Sequence, residues 1–127
     1  MKLKAGIPIP VNENRRLQVL REAEILDSEY EEGYQRFTNL ASRIFKVPFA
    51  LISLVDANRQ WFKARVGLTL TETPREFSIC THAIMEDAPP VFVLPNIAKD
   101  CRFRELPSVL EYPKILFYAG ASLEVDG

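Results

Sequence analysis

Two cysteines, one histidine, one tryptophan and five glycines in 127 residues leave little material for several kinds of chemistry. Cys80 and Cys101 lie 21 positions apart with a single histidine, His82, between them, so no metal-ligand spacing can be read. They can form at most one disulfide and make no Cys-x-x-Cys pair; in the cytosol, the compartment expected where neither a leader nor a membrane span is read, the default is two reduced thiols. Glycine is too scarce for a phosphate-cradling loop, Gly67 and Gly120 being isolated. No pair of carboxylates stands at a spacing that implies acid–base work. No apolar run approaches the roughly 20 residues of a membrane span. The basic start Met1-Lys2-Leu3-Lys4 is interrupted by Pro8 and Pro10 and so is not a secretory leader. A formal net charge of −1 gives no broad field to draw the chain onto nucleic acid or an anionic membrane.

What is present is the composition of a globular domain, 47% hydrophobic and 26% charged, of a length that holds one core. Residues 1–12 read as an irregular lead-in and 13–127 as one domain. From Glu13 to Leu26, Leu17, Leu20 and Ala23 recur at helical spacing among charges. Ser28 and Glu31 form a capping-box pattern for a second helix. Its stripe runs through Tyr30, Tyr34, Phe37, Ala41, Ile44 and Phe45, with Glu31, Glu32, Gln35, Arg36 and Arg43 off it. Pro48 ends it. The run Phe49–Val55 is nearly continuous apolar and reads as a strand buried on both faces. After a turn at Asp56–Arg59, Gln60 to Val66 alternates with Phe62, Ala64 and Val66 on one face and Trp61, Lys63 and Arg65 on the other. Gly67 to Arg75 reads as a loop. Ser78 is placed to cap a short helix reaching about Glu86, Val91–Leu94 is a short strand, Pro95 to Tyr112 holds two helical turns, and Lys114 to Val125 is a further strand. Antiparallel strands with grouped helices predict an α+β fold.

Few residues carry chemistry. Cys80-Thr81-His82 combines a thiol near a helix start with an imidazole, which suits a thiolate nucleophile; a half-buried thiol beside a packed histidine is the plainer alternative, since residues two apart on a helix diverge. Arg75, in Thr73-Pro74-Arg75-Glu76-Phe77-Ser78, either meets a ligand anion or ties its loop down through a carboxylate. Trp61 and Phe62 either line a pocket or cover the sheet. Asp100-Cys101-Arg102-Phe103 has the mixed character of a pocket wall.

Taken in order, several strings resemble one family. Asn12-Glu13, Arg16-Leu17, Ile25-Leu26-Asp27, Pro48 with Ala50-Leu51, and Leu54-Val55-Asp56 are followed by Arg59-Gln60-Trp61-Phe62-Lys63 and Thr73-Pro74-Arg75. Then come Ser78-Ile79-Cys80-Thr81-His82-Ala83-Ile84, Asp100 with Arg102-Phe103, and Phe117-Tyr118-Ala119-Gly120. The set resembles GAF domains of the kind fused to bacterial sensor histidine kinases and diguanylate cyclases. The resemblance implies a GAF-like antiparallel sheet of five or six strands with the N-terminal helices packed on it. It also implies a small-molecule pocket roofed by Glu72 to Glu86 and Asn96 to Tyr112, and a sensory, non-catalytic role in signal transduction.

The candidate ligand-binding residues are then Trp61, Arg75, Phe77, Cys80, His82, Arg102, Phe103 and Tyr118, with no catalytic residue, no metal ligand and no cofactor expected. The expected partners are an unknown small molecule and a second copy or partner chain, met through the N-terminal helix or an open sheet edge; no nucleic acid and no membrane are expected. The Asn-Lys-x-Phe-Asp pattern of cyclic-nucleotide-binding members is absent, and Thr81 separates Cys80 from His82 where bilin-binding members place them together. Two other readings are a GAF-fold thiol enzyme of the free methionine sulfoxide reductase type and a pure dimerisation module. The sequence reaches its end at the turn signal Asp126-Gly127, where the resemblance calls for a further central strand, so a domain lacking that strand is the expectation.

Overall fold

The computed structural model describes residues 7–111 and 114–123. Its secondary structure falls into four α-helices, α1 (Glu13–Glu22), α2 (Glu32–Phe45), α3 (Cys80–Ala83) and α4 (Pro107–Leu110), and five strands, β1 (Ala50–Val55), β2 (Arg59–Val66), β3 (Glu72–Pro74), β4 (Val91–Leu94) and β5 (Tyr118–Ala121). One-turn 3-10 helices occupy Arg75–Phe77 and Ile97–Lys99. All strand pairings are antiparallel, and the fold is α+β. Two ladders form, β1-β2-β3 and β4-β5, and no described strand joins them into one sheet. The chain divides into two compact units, residues 12–75 and the remainder.

In the first unit, β1 and β2 make the hairpin that the apolar run, the Asp56–Arg59 turn and the alternation predict. The Asp56 N–H donates to the Arg59 carbonyl at 2.7 Å, and the Asp56 carboxylate accepts from the Ala57 N–H, which closes the turn. The strict alternation expected of β2 is broken. Ile52 pairs with Ala64 and Ser53 with Phe62, so Lys63 is the extra residue of a bulge. Phe62, Lys63 and Ala64 are consequently all buried in succession. β1 is less buried than a two-faced strand: only Val55 is fully covered, because β1 pairs on one side alone among the described residues. Part of the expected loop after Gly67 is β3, added to β2 through Arg59↔Pro74 and Trp61↔Glu72.

The helices depart further from their patterns. α1 ends at Glu22 rather than Leu26, and positive φ at Glu24 and Asp27 marks the departure from helix. The Ser28 capping box does not form. Ser28 Oγ donates to the Ile25 carbonyl and accepts from Lys63 Nζ at 2.7 Å, and α2 starts at Glu32. α2 packs on β1 and β2, yet the residue it buries is Thr38. Gln35 donates from its amide to the Arg65 carbonyl at 2.8 Å, and Ser42 donates to the Val47 carbonyl at 2.7 Å. These polar bonds to the backbone turn a polar and small face inward. Phe37, Leu40, Ile44 and Phe45 are left exposed.

In the second unit the core is Ile79, Leu94, Ile97, Phe103 and Val109. β4 and β5 pair from Val91↔Ala121 to Leu94↔Tyr118. The Ile97 N–H donates to the Leu116 carbonyl at 2.7 Å and the Ile115 N–H to the Ser108 carbonyl at 2.8 Å, which tie residues 115 and 116, just before β5, to the segment that follows β4. Ser78 does not cap a helix; α3 follows Ile79, makes no side-chain cap and ends at Ala83 rather than near Glu86. β5 is four residues long where a strand over Lys114 to Val125 is expected; Val125 and the Asp126-Gly127 turn signal lie outside the described residues.

Candidate ligand-binding cleft

The cleft that gathers three of the eight candidate residues, His82, Arg102 and Phe103, lies in the second unit. Two local features build it. α3 is a single turn, held by the His82 N–H donating to the Ile79 carbonyl at 3.0 Å and the Ile84 N–H donating to the Cys80 carbonyl at 3.2 Å. Opposite it, Asp100 closes a tight turn by accepting from the Arg102 N–H at 2.9 Å, while its carbonyl takes the N–H groups of Phe103 and Arg104. That turn drives Phe103 into the core, where it is 2% exposed, and leaves Arg102 at the rim.

Between them is a cleft of about 240 Å³ lined by Ile7, Glu76, Ser78, His82, Arg102, Phe103 and Leu106. The His82 ring meets Phe103 edge to face, centroids 4.6 Å apart at 87°. The Arg102 guanidinium lies 4.9 Å from the Phe103 centroid and forks onto Asp100, with Nε 3.1 Å from Oδ1 and Nη2 2.9 Å from Oδ2. Hydrogen bonding from Arg102 holds the Asp100 carboxyl below its ordinary range, and Asp100 in turn raises Arg102. Burial, and then the Arg102 charge, lower the His82 pKa, with Asp100 opposing, so the imidazole is neutral at pH 7.

Two polar atoms of the cleft stand out. Ser78 Oγ and His82 Nδ1 are buried, and neither has a hydrogen-bond partner among the described residues. Ser78 itself is 4% exposed. A buried hydroxyl and a buried ring nitrogen without partners are costly, each on the order of 1–3 kcal/mol. Both line the same cleft. A molecule offering one acceptor or donor to each would remove that cost, with Phe103 as an apolar wall and Arg102 as a cation at the mouth.

The structure brings His82, Arg102 and Phe103 together here. Cys80 and Tyr118 form a neighbouring pair, Sγ to phenol oxygen 3.1 Å, and burial first, then the nearby thiol, push the Tyr118 pKa up. Phe77 is 44% exposed. Trp61 and Arg75 belong to the other unit. Trp61 lines a second cleft of about 200 Å³ with Tyr30, Gln35, Lys63 and Arg65. Arg75 is fully buried on Glu13, which is the loop-tying arrangement. Ser78 escaped the sequence reading because it looked like a helix cap; its place four residues before His82 is the signal that could have found it. Both cysteines are free, Cys80 partly buried and Cys101 exposed. No group of three or more His, Cys, Asp or Glu side chains among the described residues is placed to hold a metal ion, and no described helix is long and apolar enough to cross a membrane.

The sequence matches no protein-family model. It is 38% identical over 116 residues to the cyclic di-GMP phosphodiesterase PA2567 of Pseudomonas aeruginosa. The chain resembles part of a phosphodiesterase. The alignment takes in 91% of this chain and 19% of that protein, so the chain spans about a fifth of the length of the curated relative it matches. This corrects one expectation. The sequence reading made the chain no enzyme, whereas the relative it aligns with along nearly its whole length is by name an enzyme.

Proposed function

We propose that the chain is a sensory module of the GAF type, residues 13–127 with 1–12 as a lead-in, serving a signal-transduction enzyme that acts on cyclic di-GMP. The observation that carries the sensory part is the pair of buried, unpartnered polar atoms, Ser78 Oγ and His82 Nδ1, facing one cleft. The 38% identity to a segment of a cyclic di-GMP phosphodiesterase supports the setting. In this reading a small polar molecule bonds Ser78 and His82 and lies against Phe103. Arg102 exchanges its solvent-exposed contacts for an anionic group of the ligand while keeping Asp100.

Differential scanning fluorimetry with cyclic di-GMP, cyclic GMP and GMP as probes, each at millimolar concentration, tests this. The expected result is a Tm rise of several degrees with at least one probe, abolished in the Ser78→Ala, His82→Phe double variant. No shift with any of the three overturns a nucleotide-sensing role. A shift kept by the double variant overturns the cleft as the site.

A further inference from the structure

The cleft on β2 that holds Trp61 lies wholly within the first unit and shares no residue with the Ser78–His82 cleft. Its lining includes two cations, Lys63 and Arg65, and no acid side chain. The Lys63 side chain is 1% exposed, with Nζ held by Ser28 Oγ, the Glu29 carbonyl and Glu31, and it lies 5.4 Å from the Tyr34 ring centroid. Of these partners only Glu31 carries a full charge, and at 57% exposure that charge is screened by water. Arg65 is placed more firmly than a surface arginine. Gln35 bonds its backbone twice, donating to the carbonyl at 2.8 Å and accepting from the N–H at 3.4 Å. The Arg65 Nε donates to the Leu68 carbonyl at 3.0 Å, which fixes one edge of the guanidinium. Nη1 and Nη2 meet no acceptor among the described residues. Two rings belong to the same lining, Trp61 half-buried and Tyr30 70% exposed. Rings left that open are stabilised by a flat apolar group laid against them.

We propose that this cleft is a second binding site, for a small aromatic anion: one flat ring carrying one carboxylate or phosphate group. The acid group takes the open Nη edge of Arg65, whose planar fork matches two oxygens at once. The buried Lys63 adds positive potential behind it, and the ring lies against Trp61 and Tyr30. Size sets the limit. At about 200 Å³ the cleft is smaller than the roughly 300–1,000 Å³ that takes a drug-sized ligand, which leaves room for about one ring and one acid group.

Trp61 is the only tryptophan of the chain, so its emission reports this cleft directly. The 127-residue chain is titrated with benzoate and phenyl phosphate, and with phenol and inorganic phosphate as the ring alone and the anion alone. The expected result is a saturable change in Trp61 emission with benzoate or phenyl phosphate, at least tenfold weaker with phenol and with inorganic phosphate. The tighter of the two ring anions assigns the acid group. Arg65→Gln should weaken that binding at least tenfold, and Arg65→Lys, which keeps the charge without the fork, by less. Tyr30→Ala should weaken it severalfold with an unchanged circular dichroism spectrum, because that side chain is exposed. The Ser78→Ala, His82→Phe double variant should bind these probes as the wild type does, so that failure of the other cleft leaves this site standing. No saturable change with either ring anion overturns the proposal. So does phenol binding as tightly, a response indifferent to Arg65→Gln, or its loss in the double variant.

Discussion

Arg75 and Glu13 meet inside the first unit, the guanidinium Nη1 2.6 Å from the carboxylate Oε2, with the arginine fully buried. The same carboxylate takes Nε and Nη2 of Arg16 at 3.1 and 2.9 Å. Arg75 also donates to the carbonyls of Asp56 and Ala57, and Arg16 to that of Val55. One carboxylate thus fastens the start of α1 to the β1–β2 turn and to the end of β3. Burial works against the Glu13 charge, but hydrogen bonds from Arg75 and Arg16 outweigh it and hold the carboxyl below 4.5. Removing one partner of a buried ion pair leaves the other uncompensated, so Glu13→Ala should cost about 3–5 kcal/mol in urea unfolding. The folded pKa being depressed, the carboxylate's contribution is present above pH 4.5 and is lost as pH falls through the folded value. The stability–pH curve of Glu13→Gln should lack that acid limb, and an unaltered limb would argue against this pairing.

Two glycines should respond oppositely to alanine. Gly67 sits at φ +91°, and an added Cβ would come within 2.1 Å of the Pro48 carbonyl oxygen. Both features are backbone-imposed, so Gly67→Ala should destabilise by about 2 kcal/mol or more. Gly33, in the first turn of α2, has open space around the Cβ position. Gly33→Ala should stabilise by up to about 1 kcal/mol. Denaturation midpoints of the two variants should move to opposite sides of the wild type.

The hairpin was legible in the sequence because an apolar run, an Asp-Asn turn and a following alternation each demand the same local geometry. The bulge was not: alternation puts Lys63 on the face opposite Phe62 and Ala64, yet all three are buried in succession, and the Lys63 side chain is 1% exposed with Nζ bonded to Ser28, the Glu29 carbonyl and Glu31. A buried lysine with three oxygen partners is satisfied only by residues 32 to 35 positions away, which periodicity cannot see. α2 shows the reverse case. Its stripe was visible, but amphipathicity does not say which face meets the sheet, and Gln35 and Ser42 decided that through backbone hydrogen bonds. Of the candidate cleft, Cys80-Thr81-His82 and Asp100-Cys101-Arg102-Phe103 each stood out in the sequence through mixed chemistry, and only the family resemblance set the two strings side by side. Ser78 was hidden by its resemblance to a cap, and Trp61 and Arg75 were grouped with residues of another unit because sequence order carries no partition.

His82 gives a pH prediction of its own. Burial and the Arg102 charge depress its folded pKa below 6.5. Between that value and 6.5 the unfolded chain binds the proton and the folded chain does not, so stability should fall as pH drops below about 6.5 and level off once the folded imidazole is protonated. Facing carboxylates modulate the depth, Asp100 favouring the charged form and Glu76 lining the same cleft. His82→Gln, which cannot titrate, should flatten this limb below pH 6.5 while leaving the Glu13 limb below pH 4.5. A histidine proton titration by NMR at or above 6.5 would contradict the assignment.

The Cys80–Tyr118 pair makes the last prediction, at the alkaline end. The phenol oxygen and the thiol sulfur are 3.1 Å apart, and burial, reinforced by the thiol, raises the Tyr118 pKa well above 10. With the folded pKa raised, the unfolded chain loses the phenolic proton first, so folding stability should decline as pH climbs past about 10. Tyr118→Phe removes the titrating group and one hydrogen bond. It should cost about 1 kcal/mol near neutral pH and blunt the alkaline decline. Absorbance at the phenolate band should show one of the four tyrosines ionising only as the fold is lost, and that late step should vanish in Tyr118→Phe. If all four titrate together in the intact fold, the buried phenol is not where this structure puts it.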